Sequence, residues 1–393
     1  MTTGLSDRVR RVRPSPTLAV TAKAAQLRAE GRDIVSLGAG EPDFDTPEHI
    51  RAAGIRAIEE GFTRYTPVEG IAGLREAIVR KMRVDHGLEY TADQVLVSVG
   101  GKQSFFNLCQ ALLNPGDEVV ITAPYWVSYP DMVLLADGEP VIVRATQEQG
   151  FKMTPAQLEA AMTDRTRLVI LNSPSNPTGV AYTRAEWQAL GDVLRRHPRV
   201  VIATDDMYEK ILWADEPFSN IAMVCPDLAP RTMVMNGVSK AYAMTGWRIG
   251  YAAGPRDLVK AMTAVQSQST SGACSIAQVA AQAAIEGDQS CIAPMLEAFR
   301  ARHDFVVDAL NRIEGVQCLP SQGAFYGFPD MRGAIARLGV ADDVALAGHL
   351  LDAVGVAVVP GSAFGAPGHV RLSYATGMPQ LEKALNRIAD ALA

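Results

Sequence analysis

The chain lacks the sequence signatures of several protein classes. Its five cysteines are odd in number and show no paired spacing, so we expect reduced thiols in a cytoplasmic protein. The six histidines are scattered, and none forms a zinc-type pair, so no metal site is expected. No apolar stretch approaches the roughly 20 residues that span a bilayer. The N-terminus is polar and rich in arginine, which is unlike a secretory signal.

Basic runs are also missing. Charged residues make up 20% of the 393 residues and the formal net charge is −6, which argues against a nucleic-acid-binding surface. The hydrophobic content of 48% is enough for a large core, and at this chain length we expect two lobes rather than one.

Short apolar runs alternate with helical segments between about residues 94 and 254. The runs are nearly continuous in Val, Ile, Leu and Met, which is typical of strands buried on both faces of a mostly parallel sheet. Thr183 with Glu186 can form a capping box for a helix over 183–196. The fold class is therefore predicted as α/β, with a mostly parallel seven-stranded sheet sandwiched by helices. The predicted strands are 94–99, 118–122, 140–144, 167–171, 199–203, 231–235 and 248–253.

The pattern changes after about residue 290. The sequence there predicts one long amphipathic helix, followed by short strands and helices that form a smaller α+β lobe. We expect a large domain over 46–290 and a small domain built from 1–45 together with 291–393. The predicted elements of the small domain are helices 294–313, 342–354 and 379–392 and strands 316–319, 324–328, 355–359 and 369–374.

The segment 236–248, Asn-Gly-Val-Ser-Lys-Ala-Tyr-Ala-Met-Thr-Gly-Trp-Arg, carries the clearest chemical signal. Lys240 follows a buried strand and a glycine-containing turn, where an ammonium group is costly to desolvate. A lysine that forms an imine with an aldehyde needs such a place, because desolvation lowers its pKa. Arg248 can bind a phosphate through its planar fork. An aldehyde with a phosphate indicates pyridoxal 5′-phosphate (PLP).

Other polar or aromatic residues follow the predicted strands, where ligands bind in open parallel sheets. Gly100, Gly101 and Lys102 suit a phosphate at a helix N-terminus, although a tight turn alone is the simpler interpretation. Trp126 can stack on a flat ring or fill the core, and neither is favoured. Asn176 can donate to a ligand, or belong to a rigid surface loop; its bond to Pro177 is a candidate cis bond.

The fifth strand and the C-terminal lobe add three candidates. Asp205 can keep a pyridine nitrogen protonated, or cap the next helix, and Asp206 competes for the same role. Tyr208 could reach a ring oxygen. Arg371 is either on an exposed face or a clamp for a carboxylate, and taken singly the exposed face is favoured.

Several long motifs together resemble the fold-type I PLP enzymes, specifically the class I aminotransferases of the aspartate aminotransferase type. The resemblance runs from about Pro14 to the C-terminus. Its motifs are Gly-Ala-Gly-Glu-Pro-Asp-Phe-Asp (38–45), Tyr-Thr-Pro (65–67), Ser-Pro-Ser-Asn-Pro-Thr-Gly (173–179) and the lysine segment 236–248.

The resemblance implies a role for each cofactor-binding residue. Lys240 would bind PLP as an imine and then shuttle the proton of the reaction. The other implied contacts are Asp205 with the ring nitrogen, Asn176 and Tyr208 with the ring oxygen, Trp126 stacked on the ring, and Gly101, Lys102, Ser239 and Arg248 around the phosphate. Tyr65 would reach the phosphate of a neighbouring subunit, which implies a homodimer with shared active sites.

The substrate contacts are implied in the same way. Gly40 and Arg371 would hold the α-carboxylate, with Asn176 assisting and Trp126 beside it. The chain resembles the bacterial subgroup with a Pro-Ser-x-Thr segment and a Gly-Gly-Lys turn, in which Ser15, Thr17 and Lys102 would bind a second carboxylate. Lys102 could then face the substrate rather than the phosphate. That subgroup includes enzymes that also transaminate prephenate to arogenate.

The expected function is amino transfer between L-aspartate and 2-oxoglutarate, with prephenate as a further acceptor. Alternatives are another amino-acid aminotransferase or a PLP-dependent β-lyase or synthase, because a fold does not fix a reaction. A non-catalytic regulator is less favoured, since the N-terminus has no room for a DNA-binding module. A dinucleotide-dependent dehydrogenase is disfavoured because Asp43 stands where a third glycine belongs after Gly38 and Gly40.

Overall fold

A computed structural model of the chain describes residues 4–12, 14 and 16–393. Within these ranges no helix is both long enough and apolar enough to cross a membrane. The strands are β1 Val35–Ser36, β2 Val95–Val99, β3 Glu118–Ala123, β4 Glu139–Arg144, β5 Thr166–Asn172, β6 Val201–Asp205, β7 Thr232–Gly237, β8 Ile249–Ala253, β9 Tyr326–Gly327, β10 Val356–Ala357, β11 Val359–Pro360 and β12 Val370–Ser373.

The helices lie between and around these strands. They are α1 Asp7–Arg10, α2 Pro16–Ala29, α3 Glu48–Glu59, α4 Ala72–Lys81, α5 Gly101–Leu112, α6 Ser128–Leu135, α7 Pro155–Ala161, α8 Arg184–Arg195, α9 Ile221–Val224, α10 Arg256–Ser267, α11 Ser275–Glu286, α12 Ile292–Asn311, α13 Arg332–Leu338, α14 Asp343–Val354 and α15 Met378–Ala391. The predicted capping box of α8 is confirmed, since the Thr183 hydroxyl accepts from the Glu186 amide and the Glu186 carboxylate accepts from the Thr183 amide.

The large sheet has seven strands in the order β2-β8-β7-β6-β5-β3-β4. The strands β7, β6, β5, β3 and β4 run parallel, and β8 is antiparallel to both of its neighbours. The interior strand β7 is buried throughout, whereas the edge strand β4 is largely solvent-accessible. The prediction of a mostly parallel, seven-stranded sheet between helices is confirmed, and the predicted strand ends are shifted by at most two residues.

The C-terminal part forms two smaller sheets. Strand β11 pairs antiparallel with β12, and β12 pairs with β9. The predicted strand 355–359 is in fact two strands, because the chain changes sheet at Val358: β10 pairs with β1, and β11 pairs with β12. Strand β1 comes from the N-terminal segment, so that segment packs with the C-terminal part as expected. The division into domains at about residues 46 and 290 stays a prediction.

The predicted strand 316–319 is wrong. This segment makes only an isolated bridge, between Gln317 and Asp330. The reason lies in Asn311 at the end of α12, whose side chain donates to the Cys318 carbonyl oxygen (3.0 Å) and accepts from the Cys318 amide (2.8 Å). A side chain thus satisfies the backbone groups that a neighbouring strand would otherwise pair with.

Candidate active site

A cavity of about 470 Å³ lies where β2, β5, β6 and β7 end. The loops that follow these strands meet there with β12 and the N-terminal segment, as expected for an open α/β sheet. Of the residues predicted to form the site, twelve line this cavity: Thr17, Gly40, Gly101, Lys102, Trp126, Asn176, Asp205, Tyr208, Ser239, Lys240, Arg248 and Arg371. Tyr65 lies away from it and is 100% exposed. Ser15 falls outside the described residues.

Lys240 follows β7 by three residues, and its ammonium donates to the carbonyl oxygen of Gly40. Burial lowers the pKa of Lys240 to about 8, and the positive charges of Arg371 and Arg248 act in the same direction. A substantial fraction of this amine is therefore neutral in mildly alkaline solution. A neutral amine is what attack on an aldehyde requires.

Asp205 is the last residue of β6 and is buried. Its Oδ2 accepts from the Tyr129 hydroxyl (2.5 Å) and its Oδ1 from the Met207 amide (3.2 Å). Burial raises the pKa of Asp205 to about 6, and both hydrogen bonds oppose this rise. The helix-cap interpretation is wrong, because β6 leads into turns and the next helix, α9, starts only at Ile221.

Asp206 does not compete for the cavity. Its carboxylate accepts from the Thr204 hydroxyl (2.7 Å) and from the Asn220 amide group (2.6 Å), and it is absent from the cavity lining. Neighbouring residues at a strand end project to opposite sides. Asp205 therefore faces the cavity, and Asp206 faces the protein interior.

One end of the cavity suits an anion. Helix α5 starts there at Gly101, after Gly100 with a φ of 76°. Arg248 and Lys102 lie at the same end, and the pKa of Lys102 is lowered by burial and by the nearby Arg248 charge. Two cations and a helix N-terminus that face one space would be stabilised by a phosphate. This supports the phosphate interpretation of the Gly100–Gly101 turn.

Arg371 is only 2% exposed, so its assignment to an exposed face is wrong. Its Nη1 donates to Oδ1 of Asn176 (3.0 Å) and its Nη2 to the carbonyl oxygen of Gly38 (2.9 Å), while its Nε has no partner. The guanidinium lies 4.5 Å from the ring centre of Tyr326. No acidic side chain among the described residues forms a salt bridge with Arg371. A buried cation of this kind calls for an anionic ligand.

The remaining predicted residues lie between these groups. Trp126 lines the cavity rather than being enclosed in the core, and the Lys102 ammonium lies 5.2 Å from its ring centre. Asn176 is fixed by the bond from Arg371, and its bond to Pro177 is cis, as predicted. The Tyr208 hydroxyl lies 2.8 Å from the Tyr326 hydroxyl.

The sequence interpretation missed Tyr129 and Tyr326. Tyr129 lies on α6, three positions after Trp126, which precedes that helix, and Tyr326 lies on β9, whose neighbour β12 carries Arg371. The short distance in sequence from Trp126 was the available signal for Tyr129. Tyr326 gave no signal, because an aromatic residue in a short apolar strand is typical of a core position.

A model of the aminotransferase class I and II family matches residues 32–388. The chain belongs to this family. An aspartate/prephenate aminotransferase of Nitrosomonas europaea is 58% identical over 99% of both chains. A second aspartate/prephenate aminotransferase, from Cereibacter sphaeroides, is 56% identical over 98% of this chain and 97% of that protein.

Solved structures agree with this assignment. The aspartate aminotransferase of Rhizobium meliloti superposes with a TM-score of 0.95 at 45% identity, over 100% of this chain and 99% of that one. The Thermus thermophilus enzyme with maleate gives a TM-score of 0.93 at 45% identity, over 99% and 100% of the two chains. The aminotransferase is therefore a PLP-dependent enzyme of fold type I.

The residues of the cavity fit PLP. The anion-binding end at Gly101 and Arg248 suits its phosphate, the carboxylate of Asp205 suits its pyridinium nitrogen, and the amine of Lys240 suits its aldehyde. The Nε of Arg371 and the hydroxyl of Thr17 are buried without a hydrogen-bond partner. Both residues line the cavity, so these two groups are available to bind a substrate there.

Proposed function

We propose that this aminotransferase moves the amino group of L-aspartate to 2-oxoglutarate, forming oxaloacetate and L-glutamate, and that it also converts prephenate to arogenate. The proposal depends on one observation: the buried, unneutralised Arg371 shares its cavity with a second cation, Lys102, and with the unpartnered Thr17 hydroxyl. Two separate anion-binding places suit substrates that carry two carboxylates. The names of the relatives from Nitrosomonas europaea and Cereibacter sphaeroides support it.

The proposed roles of the residues follow from their positions. PLP supplies an aldehyde for the substrate amine and a ring that withdraws electrons from the α-carbon. Arg371, with Gly40 and Asn176, binds the α-carboxylate and so orients the Cα–H bond. Lys240 would take the proton from Cα and deliver it to the carbon that carries the aldehyde oxygen in free PLP. Burial lowers the pKa of its free amine to about 8, so that this amine can both accept and donate a proton in mildly alkaline solution.

Other residues hold the cofactor in this proposal. Asp205 keeps a proton on the ring nitrogen, and Trp126 packs on the ring face. Asn176 and Tyr208 donate to the ring oxygen. The phosphate is held by Gly101, Ser239 and Arg248, and Lys102, which lines the same cavity, binds either the phosphate or the distal carboxylate.

We also propose a homodimer in which Tyr65 completes the site of the partner subunit. Tyr65 is fully exposed, and it lies near three exposed apolar residues in sequence, Ile55 (53%), Ile58 (57%) and Phe62 (40%). Exposed apolar residues grouped in this way are typical of subunit interfaces.

A cytoplasmic location is proposed as well, supported by five free thiols, of which Cys109, Cys225 and Cys318 are buried.

A panel of amino donors against three acceptors tests the function. We expect kcat/KM for aspartate with 2-oxoglutarate to exceed that for alanine or phenylalanine, and prephenate to be consumed with glutamate or aspartate as donor. Oxaloacetate and glutamate should form in equal amounts. Release of pyruvate and ammonia from a donor with a leaving group on its β-carbon, such as serine, without consumption of 2-oxoglutarate, would instead indicate a lyase and overturn the proposal.

A further inference from the structure

Tyr129 does not line the cavity, but it makes a short hydrogen bond to Asp205, which does. It is on α6, its side chain is 2% exposed, and its hydroxyl donates to Asp205 Oδ2 at 2.5 Å. Asp205 Oδ1 accepts from the Met207 amide at 3.2 Å. Each carboxylate oxygen thus has one protein donor, and a lone pair remains for a group in the cavity.

The direction of the Tyr129 bond is fixed. Burial and the neighbouring Asp205 charge raise the pKa of Tyr129 well above its usual value, so the phenol stays protonated and acts as a donor. A hydrogen bond to the charged form of a carboxyl group favours that form. Tyr129 therefore opposes the effect of burial, which by itself would favour a neutral Asp205.

The ring of Tyr129 is held from two sides. The indole of Trp126 meets it edge-on, with ring centres 5.3 Å apart at 90°, and Phe105 packs at 5.1 Å. Trp126 and Phe105 line the cavity themselves. The segment that presents the indole to the cofactor ring therefore also sets the position of the donor to Asp205.

We propose that Tyr129 is a positioning residue that keeps Asp205 ionised and aimed at the ring nitrogen of the cofactor. This inference rests on the proposed role of Asp205. It does not require that Tyr129 contact substrate or cofactor. The Tyr129 hydroxyl favours the ionised form of Asp205, and the ionised carboxylate in turn keeps the ring nitrogen of the cofactor protonated.

The variant Tyr129→Phe removes only the hydroxyl group. Titration of the apoenzyme with PLP should show about 10- to 100-fold weaker binding, the range expected for one hydrogen bond to a charged group. Asp205 will be harder to ionise, so the acid limb of the pH profile of kcat/KM should move to higher pH. The matched control is Tyr182→Phe, whose hydroxyl accepts from the Met153 amide (2.7 Å) outside the cavity. It should leave affinity and pH profile unchanged.

A second pair of variants separates this inference from the role of Asp205 itself. If Asp205→Ala binds PLP as tightly as the wild type, the proposed role of Asp205 fails. If Asp205→Ala binds weakly while Tyr129→Phe keeps wild-type affinity and pH profile, the inference about Tyr129 is overturned. The double variant should bind PLP no more weakly than Asp205→Ala alone. Additive losses would show that Tyr129 acts by another route and would also overturn it.

Should Tyr129→Phe fail to fold, Tyr129→His provides the same test, because an imidazole N–H can also donate to a carboxylate. A folded histidine variant that keeps both the wild-type PLP affinity and the wild-type acid limb supports the inference. A folded histidine variant whose affinity falls while its acid limb stays in place contradicts it.

Discussion

The guanidinium of Arg248 lies against the backbone of Gly100. A β-carbon added to Gly100 would come within 2.3 Å of Nη2 and 2.8 Å of Cζ. Gly100 precedes the first residue of α5 and has a φ of 76°, so its conformation and its lack of a side chain are both required. Arg248 and the N-terminus of α5, which are far apart in the sequence, thus form one anion-binding site.

Gly100→Ala should therefore weaken PLP binding. The new methyl group displaces the Arg248 guanidinium, and the loss of one charge-assisted contact is expected to weaken binding by about 10- to 100-fold. Fluorescence titration of the apoenzyme measures it. The matched control is Gly116→Ala, which has a φ of 87° but nothing within 4 Å of the added β-carbon. This substitution also strains a backbone of positive φ, so it should lower the free energy of unfolding, but it should leave PLP affinity unchanged. Equal PLP affinity in both variants would contradict the phosphate role of Arg248.

Arg371→Lys should raise KM for amino acids without weakening PLP binding. Lysine keeps the charge but loses the planar fork that can bind a carboxylate while also contacting Asn176 and Gly38. The expected loss in kcat/KM corresponds to about 2 kcal/mol or more. Arg302→Lys is the control, since Arg302 already pairs with Asp43 (2.6 and 2.9 Å). That variant should lose stability but keep its KM. An unchanged KM in Arg371→Lys would remove Arg371 from substrate binding.

Lys102→Met distinguishes the two roles proposed for Lys102. If Lys102 binds the distal carboxylate, kcat/KM should fall by about 10- to 100-fold for aspartate and stay constant for alanine, which has no second carboxylate. Thr17→Val should show the same selectivity to a smaller extent, because its buried hydroxyl has no other partner. A parallel loss for both donors, together with weaker PLP binding, would place Lys102 at the phosphate instead.

Much of the site could be predicted because parallel strands deliver their carboxyl ends to one edge of the sheet. Lys240, Asp205 and Asn176 all follow strands that the apolar runs revealed, and their chemistry differs from that of ordinary connecting loops. The local pattern did not decide between Asp205 and Asp206, because neighbouring residues face opposite sides and the strand end was uncertain by two residues; the choice of Asp205 came from the family resemblance. Only the hydrogen bonds of the fold distinguish them.

Contacts between residues far apart in the chain could not be predicted from the sequence. Tyr129 and Asp205 are 76 positions apart, and a buried tyrosine usually fills a core. Asn311 prevented a strand over 316–319 through two side-chain bonds that no periodicity reveals. Arg371 alternates with Val370 and Leu372 and so resembles an exposed position, yet its strand is buried on both faces.

The buried amine of Lys240 should make the stability of the apoenzyme depend on pH. The folded-state pKa is lowered to about 8 from 10.5, so between these values the unfolded chain holds a proton that the folded chain has released. Stability rises with pH wherever the unfolded state binds more protons. Lys240 therefore destabilises the fold below pH 8, by about 3 kcal/mol for a shift of this size, and this cost disappears towards pH 10.5.

Urea unfolding of the apoenzyme and of Lys240→Met, at one protein concentration, measures this dependence. The methionine variant should be more stable than the wild type at pH 7, and the difference between the two free energies of unfolding should shrink steadily from pH 8 to pH 10. Lys260→Met, at an exposed position of α10, should follow the wild type throughout. A difference that stays constant over this range would mean that the amine of Lys240 is not desolvated in the apoenzyme. Its readiness to react as a neutral amine near pH 8 would then need another cause.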